Sequence, residues 1–359
     1  MTAKPRARDL GIPFEGNPGT FNAITDVPGV EVGMATLIEG NNCRTGVTII
    51  HPRGKHDYDP VFAAWFPLNG NGEMTGTAWI DEGGFLEGPI GITNTHNVGT
   101  VRDAIIHWQA ENNRFFQPWS CPIVTETADG WLNDMNQFHV RREHVRQALN
   151  EAASGPVAEG NVGGGTGMTS FEFKAGTGTA SRVLPAQSGG YTIGVLVQSN
   201  FGRRFQLTVA GVPVGKHLTE NAPLTNGENP FREQGSIIVV IATDAPLLPY
   251  QLKRVAKRAS IGLARTGGMA GNGSGDIFIA FTTANPGCAR PKDQLATLTM
   301  LPNDNLDTLF WSVAYATEEA ILNALIAAET MNGHENITFH AIPHDQLQAV
   351  MRQYNRLEQ

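Results

Sequence analysis

The chain has 359 residues, more than one hydrophobic core usually supports, so its length predicts one large layered domain or two ordinary ones. Its formal net charge of −8 argues against nucleic acid as a partner, because binding to a phosphate backbone requires clustered lysine and arginine. Charged residues make up only 17% of the chain, and with 41 glycines and 21 prolines this composition favours a turn-rich, strand-rich enzyme.

The sequence predicts neither a targeting segment nor a membrane span. Basic residues in the stretch 1–16 are not followed by an apolar run, and no later stretch reaches the roughly 18 apolar residues that a spanning helix needs. The three cysteines, Cys43, Cys121 and Cys288, are odd in number and widely spaced, which fits no disulfide framework. We therefore expect a soluble, cytoplasmic protein without a membrane partner.

Short β-branched or aromatic runs predict strands, and apolar residues at helical spacing predict helices. In chain order, the predicted elements are strands at 48–51, 61–66 and 90–93, a helix at 98–108, strands at 191–199 and 205–210, an exposed loop at 218–234, a strand at 237–243, a helix beginning near Pro249, a strand at 277–282, a helix from Leu306 to a stop at Asn332 and Gly333, and a strand at 337–342.

The order of these elements favours one fold class. Strands occur in clusters and long helices follow in clusters, whereas a doubly wound sheet would alternate single strands with single helices. No stretch has the composition of an interdomain linker, and no repeat of about 20 to 50 residues is visible. The pattern predicts an α+β protein in which sheets stack on each other with helices outside.

Two glycine clusters, at 160–167 and 175–182, are candidates for a phosphate cradle, because glycines let backbone N–H groups converge on an anion. Neither is followed by the Lys-Ser or Lys-Thr pair of a P-loop, and neither has the context of a GxGxxG dinucleotide motif. We therefore interpret both clusters as tight backbone packing near a site.

Three histidines, His51, His56 and His96, are candidates for a metal site or for catalysis. His51, His56, Asp57 and Asp59 match no metal-ligand spacing, so we expect solvated turns and no metal there. His96 stands alone before a predicted helix, where a structural hydrogen bond is favoured over the role of a catalytic base.

The junction of Gly235 and Ser236 is more informative, because a polar loop leads directly into an apolar strand there. Cleavage of this peptide bond would give Ser236 a free α-amino group, whose ordinary pKa of about 7.7 to 8.0 lies near working pH. One residue would then carry both a nucleophile and a candidate base. Gly235, which has no Cβ, would tolerate the geometry of an attack by the Ser236 hydroxyl.

A second hydroxyl stands near a carboxylate before the strand at 277–282. Ser274 and Asp276 are separated by one glycine, and alternate residues of an extended segment face the same side. The spacing therefore favours a hydroxyl oriented by a carboxylate, although an ordinary turn would also place these residues here.

Seven stretches, in order, resemble the L-aminopeptidase/D-Ala-esterase/amidase and β-aminopeptidase family, self-processing relatives of the N-terminal-nucleophile hydrolases. They are LNGNGEMTGT from Leu68, GITNTHNVGT from Gly91, ETADGWLND from Glu126, GNVGGGTGM from Gly160, VLVQSNFG from Val195, GSIIVVIATDAPL from Gly235 and NGSGDIFIAF from Asn272. The joint match spans nearly the whole chain and is far more specific than any single motif.

The resemblance implies a four-layer αββα sandwich in one domain, 1–359. It also implies autocatalytic cleavage between Gly235 and Ser236 into an α chain, 1–235, and a β chain, 236–359. The expected assembly is a tetramer of such αβ units, and no cofactor is expected.

Motif by motif, the resemblance implies that Ser236 is the nucleophile and that Ser274 and Asp276 complete the proton-handling network. Asn200 would offer its side-chain amide to the oxyanion. Many relatives have Glu where Asp276 stands, so the backbone is expected to adjust for the shorter side chain. Whether the Ser236 amine or the Ser274–Asp276 pair is the general base stays open at this level.

Three further residues are implied in substrate binding. Glu126 matches the acidic residue that anchors the free amino group of the substrate, a charge-assisted contact that makes chemical sense for an aminopeptidase. Trp119 matches an aromatic residue of the pocket wall. Ala128 stands where some relatives have a bulky aromatic residue, so it is expected to leave room for a β-amino acid.

The activity implied is removal of one small N-terminal residue, L-α, D-α or β, from short peptides, amides and esters. Two alternatives remain. One is acyl transfer of the ornithine acetyltransferase type, although that group normally has threonine after alanine at the cleavage junction. The other is a non-catalytic ligand-binding protein whose serines are structural.

Overall fold

The computed structural model describes residues 4–222, 235–290 and 295–358. Their strands are β1 Glu31–Glu39, β2 Cys43–His51, β3 Val61–Pro67, β4 Phe85–Leu86, β5 Ile90–Asn94, β6 Ile123–Thr127, β7 Thr169–Ser170, β8 Phe173–Lys174, β9 Thr177–Val183, β10 Thr192–Asn200, β11 Ser236–Thr243, β12 Ile277–Thr282, β13 Met331–Asn332 and β14 Thr338–Phe339. Their α-helices are α1 Thr77–Gly83, α2 Val98–Glu111, α3 Arg142–Glu151, α4 Pro249–Ala256, α5 Ala259–Arg265, α6 Asp307–Ile326 and α7 His344–Gln353.

The strands form two main sheets. One has four strands in the order β1-β2-β5-β6, and the other has six in the order β4-β3-β12-β11-β10-β9. Two pairs, β5 with β6 and β11 with β12, are parallel, and the other pairs within these two sheets are antiparallel. Each sheet is therefore mixed.

Helices cover the outer face of each sheet, while the inner faces pack on each other. Helices α2 and α3 share an apolar core with the four-stranded sheet. Helices α4 and α6 pack on the six-stranded sheet, and α5 packs on α6. A third core lies between the sheets. These layers are helix, sheet, sheet and helix, so the expected four-layer αββα sandwich is confirmed.

Strand β11 shows why its sequence is apolar at every position. Ile238 and Val240 point into the core between the two sheets, whereas Ile237 and Val239 point toward the helices. A strand buried on both faces needs a continuous apolar run instead of an alternating one. Ser236 begins this run, so a hydroxyl stands at the end of a fully buried strand.

Strand register brings several chain segments to one end of the six-stranded sheet. Asn200, the last residue of β10, lies opposite Ser236, the first residue of β11. In the parallel pair, Ile238 lies beside Ile277, and Ile277 also lies opposite Pro67 at the end of β3. The residues just before β12 and just after β3 therefore meet Ser236 at this edge.

The prediction of a strand at 205–210 is wrong. Residues Arg204–Gln206 form a 3-10 turn, and an isolated bridge joins Val209 to Val212. The buried guanidinium of Arg204 donates hydrogen bonds to four backbone carbonyl groups of neighbouring segments. Such tertiary contacts, which no local pattern reveals, outweigh the strand-like composition.

Other predicted bounds also change. The helix that begins at Pro249 ends at Ala256, and α5 follows as a separate helix. Helix α6 ends at Ile326, before the predicted stop at Asn332, which instead belongs to β13. Strand 337–342 shortens to the two residues of β14. Within 4–222, 235–290 and 295–358, no helix is long and apolar enough to cross a bilayer.

The glycine cluster at 160–167 serves close packing, as predicted. A Cβ on Gly164 would lie 2.2 Å from Oε1 of Gln198, and one on Gly167 would lie 2.1 Å from the carbonyl oxygen of Arg44. Any side chain at these positions would force the backbone away from the sheets. The cluster therefore lets a loop run directly against both sheets.

Candidate active site

A cleft of about 880 Å³ opens at the sheet edge where β10 ends and β11 begins. Its lining combines glycines, amides, two methionines, one tryptophan and two carboxylates. Within the described parts of the chain, it includes no lysine, arginine or histidine. The lining residues are Asn71, Gly72, Glu73, Thr95, Glu126, Ala128, Gly130, Trp131, Met135, Thr169, Asn200, Gln206, Gly235, Ser236, Met269, Gly271, Asn272 and Gly273.

Ser236 lies in this cleft, and backbone contacts fix its surroundings. The N–H group of Gly275 donates a 3.1 Å hydrogen bond to the Ser236 Oγ. A Cβ on Gly275 would stand 2.5 Å from the carbonyl oxygen of Asn71, and one on Gly235 would stand 2.3 Å from that of Asn200. Both glycines are therefore required by close backbone approach on either side of the serine.

Ser274 and Asp276 lie behind Ser236, buried and outside the lining of the cleft. The Ser274 hydroxyl donates a 2.7 Å hydrogen bond to Oδ1 of Asp276, and the Ile237 N–H group donates a 3.1 Å bond to the same oxygen. The Asp276 carboxylate thus ties the segment before β12 to the residue that follows Ser236. The predicted hydroxyl–carboxylate pair is present.

Asn200 has a fixed side-chain orientation. The Thr169 N–H group donates to its Oδ1 at 3.0 Å, and its Nδ2 donates to the carbonyl oxygen of Ala128 at 2.8 Å. These two partners determine which end of the amide is oxygen. An amide nitrogen carries two hydrogens, so one remains to serve as a donor in the cleft beside Ser236.

Glu126 is the penultimate residue of the buried strand β6 and reaches the same cleft with only 3% of its surface exposed. The Glu73 N–H group donates to its Oε1 at 3.0 Å, and the Thr95 hydroxyl donates to its Oε2. Burial raises the pKa of the Glu126 carboxyl, while these two hydrogen bonds oppose the shift. The carboxylate is held by neutral donors, and none of the described residues that line the cleft is a lysine, arginine or histidine.

Of the two residues Ala128 and Trp119, only Ala128 is among those that line the cleft. Ala128 lines the cleft, where its small side chain adds little volume and its carbonyl group holds Asn200. Trp119 is 60% exposed and is not part of the lining. It precedes β6, whereas Glu126 lies near the other end of that strand. The role of Trp119 in the pocket wall stays a prediction. The tryptophan that lines the cleft is Trp131.

Several lining residues were not singled out from the sequence. Thr95 follows β5, and the parallel pairing of Thr93 with Glu126 carries it to the carboxylate. Thr169 belongs to the short strand β7 and acts through its backbone N–H group. Such roles follow from strand register and main-chain geometry, so no side-chain motif signals them in advance.

Neither His51 nor His96 lines the cleft. His96 is exposed and stacks on Phe138 with ring centroids 5.8 Å apart. His51 is buried beside the carbonyl oxygen of Leu149, and burial lowers its pKa to about 4. In the part of the chain that the structure describes, no group of three or more His, Cys, Asp or Glu side chains is arranged to hold a metal ion.

The chain matches the profile of Peptidase family S58 over residues 22–339. It is 52% identical over 372 residues to a protein named beta-peptidyl aminopeptidase BapA from Sphingosinicella microcystinivorans, covering 98% of this chain and 93% of the relative.

Solved structures agree with this match. The L-aminopeptidase D-Ala-esterase/amidase from Ochrobactrum anthropi, described as a prototype for the serine aminopeptidases and as a variant of the Ntn hydrolase fold, superposes with a TM-score of 0.91 at 49% identity, covering 99% of this chain and 100% of that chain. A Burkholderia sp. beta-aminopeptidase gives a TM-score of 0.88 at 49% identity, covering 97% and 99% of the two chains. The chain therefore belongs to peptidase family S58, and it is a hydrolase of the aminopeptidase class.

Proposed function

We propose that this aminopeptidase matures by cutting itself between Gly235 and Ser236 and then uses Ser236 as an N-terminal nucleophile. Its substrates are short peptides, amides and esters with a free N-terminal amine. The observation that carries this proposal is the cleft itself, because the Ser236 hydroxyl, the Asn200 amide and the buried Glu126 carboxylate all line it.

Self-cleavage begins with attack of the Ser236 Oγ on the carbonyl carbon of Gly235. The new C–O bond forms as the C–N bond to Ser236 breaks, and water then hydrolyses the resulting ester. Before cleavage the Ser236 nitrogen is a peptide nitrogen and has no basic lone pair. The proton must therefore pass toward another group, and Ser274 hydrogen-bonded to Asp276 is the pair beside the junction.

Turnover repeats this chemistry on a substrate. The Ser236 Oγ attacks the carbonyl carbon of the first residue, the amine of the next residue leaves with a proton, and water releases the acyl group. The Asn200 Nδ2 and the Gly275 N–H group, which already contacts the Ser236 Oγ, are placed to stabilise the developing oxyanion. In the mature chain both the Ser236 amine and the Ser274–Asp276 pair are available to accept the proton.

Substrate selection follows from charge and volume. A substrate ammonium group beside Glu126 would form a charge-assisted contact with this buried carboxylate, which would select free N-termini. The small side chain of Ala128 leaves space for the longer backbone of a β-amino acid. A relative that is 52% identical is named as a β-peptidyl aminopeptidase, which supports β-residues among the substrates, with small L-α and D-α residues as further candidates.

The alternatives are less well supported. Membership in a peptidase family favours hydrolysis over acyl transfer of the ornithine acetyltransferase type. A purely ligand-binding role gives no reason for a buried Ser274–Asp276 pair placed directly behind a cleft serine.

The proposal also covers the processing, the assembly and the cellular location of the protein. Residues 1–359 would act as one domain, processed into 1–235 and 236–359 and assembled as a homotetramer. Three large apolar side chains exposed on α4, α5 and α6, those of Tyr250, Ile261 and Trp311, suit a subunit interface. The free cysteines suit the cytoplasm. Light scattering and cell fractionation test these two statements.

The first prediction concerns maturation. Intact-mass analysis of active protein should show two chains, the smaller beginning at Ser236. The Ser236→Ala variant lacks the attacking hydroxyl, so it should remain one chain and lose activity toward the p-nitroanilides of Gly, L-Ala, D-Ala and β-Ala. Full-length protein that turns over these substrates without being cut would contradict the proposal.

The second prediction concerns proton transfer. Ser274→Ala and Asp276→Asn should each lower the turnover rate by about 100-fold or more, the usual scale for loss of a proton-transfer partner, and should slow self-cleavage. Steady-state kinetics normalised to the cut fraction measures the first effect, and time-resolved gels measure the second. If both folded variants mature normally and keep near wild-type turnover, the assigned pair is wrong.

A further inference from the structure

The segment 68–73, which follows β3, lies along the segment 270–276, which precedes β12. The Leu68 N–H group donates to the Asp276 carbonyl oxygen at 2.9 Å, and the Asn71 N–H group donates to that of Ser274 at 3.2 Å. The Asn71 Nδ2 adds a 2.9 Å bond to the carbonyl oxygen of Gly273. The second segment is thus hydrogen-bonded along its length to the first.

Asn69 makes the closest side-chain contacts between the two segments. Its Nδ2 donates to the carbonyl oxygens of both Ala270 and Gly271, at 2.9 and 2.8 Å. Two carbonyl acceptors fix which end of the amide is nitrogen. Ala270, between Met269 and Gly271, has a φ of +51°, a left-handed conformation that residues with a Cβ rarely adopt. The Asn69 amide therefore holds a strained turn in place.

This turn is connected to the reacting atoms through the backbone. The Gly271 carbonyl oxygen, which accepts from Asn69, also accepts a 2.9 Å bond from the Ser274 N–H group. Ser274 in turn donates to Asp276, and the adjacent Gly275 N–H group donates to the Ser236 Oγ. A shift of the turn would move all three groups relative to the nucleophile.

We infer that Asn69, supported by Asn71, is a positioning residue for the reaction. It sets the place of the Ser274–Asp276 segment without touching the substrate. The inference rests on the proposed function, under which cleavage leaves Asn69 in the 1–235 chain and the segment 270–276 in the 236–359 chain. The hydrogen bonds of Asn69 would therefore join the two chains beside the site after maturation.

The test is Asn69→Asp, assayed in the mature enzyme with kcat normalised to the cut fraction. The substitution keeps the shape of the side chain but replaces its donor with a carboxylate facing two carbonyl oxygens. At neutral pH, kcat should fall by about 10- to 100-fold while KM changes by less than about threefold, because the residue orients the machinery and not the substrate. Asn69→Ala should show the same split.

Acidification provides a second readout that a general loss of stability would not produce. The introduced carboxyl can donate one hydrogen bond when protonated, so the activity of Asn69→Asp relative to wild type should rise as pH falls. The charged groups of the two segments that meet here, Glu73 and Asp276, are also acidic and favour its protonation. Asn69→Ala should show no such recovery.

Asn285→Asp is the matched control. The Asn285 side chain also holds a loop, because it donates to the Thr299 carbonyl oxygen at 3.0 Å and accepts from the Thr299 N–H group at 2.9 Å. Asn285 lies beyond the other end of β12, away from Ser236. The kcat and pH profile of the Asn285→Asp variant should match those of wild type.

Three results decide the inference. Unchanged kcat in folded Asn69 variants, a rise in KM alone, or pH profiles parallel to wild type would each overturn it. If Asn69→Asp does not fold, Asn69→Ala provides the same kinetic test, and slow maturation at a normal melting temperature counts for the inference. Inactive wild-type protein would instead contradict the proposed function.

Discussion

The register of β10, β11 and β12 is the constraint on which the site depends. Asn200 faces Ser236 because these two strands pair antiparallel, and the segment ending at Asp276 reaches Ser236 because β12 runs parallel to β11. Side chains alternate between the faces of a strand, so a slip of one residue would send Ser236 to the opposite face. Both faces of β11 are packed, which makes such a slip costly. The buried core thereby aligns the chemistry.

The second constraint is a buried carboxyl group whose direct hydrogen-bond partners are neutral. Glu126 is buried, burial raises the pKa of its carboxyl, and its partners are the neutral donors Thr95 and the Glu73 N–H group. A carboxylate in such a position is stabilised when a cation binds beside it. Among the described residues that line the cleft, no lysine, arginine or histidine stands beside this carboxylate. Under the proposed function, the substrate ammonium supplies the counter-ion, and this contact would restrict the enzyme to chain ends.

Local patterns in the sequence predict β11 and β12, because these strands are apolar runs bounded by glycine and polar residues. The buried strands β6 and β9 are not among the predicted elements. The patterns also bring attention to Ser236, Ser274 and Asp276, which stand at strand ends. They fail where long-range contacts decide the conformation. The hydrogen bonds of the Arg204 side chain, for example, stabilise a turn at Arg204–Gln206 where a strand was predicted. A motif also gives the residue type of Trp119 but not its position relative to the cleft, so its role stays a prediction. Backbone donors such as Thr169 have no sequence signal at all.

Selection of a free amine by Glu126 is the central claim, and a comparison of charge variants tests it most directly. Glu126→Gln keeps the side-chain volume but removes the charge, so kcat/KM for aminoacyl p-nitroanilides should fall by about 10- to 150-fold, which corresponds to about 1.5–3 kcal/mol. Glu82→Gln, an exposed change on α1, should have no effect. Wild-type enzyme should refuse the same substrates once N-acetylated. Good turnover of N-acetylated substrates, or unchanged kcat/KM in Glu126→Gln, would contradict the account.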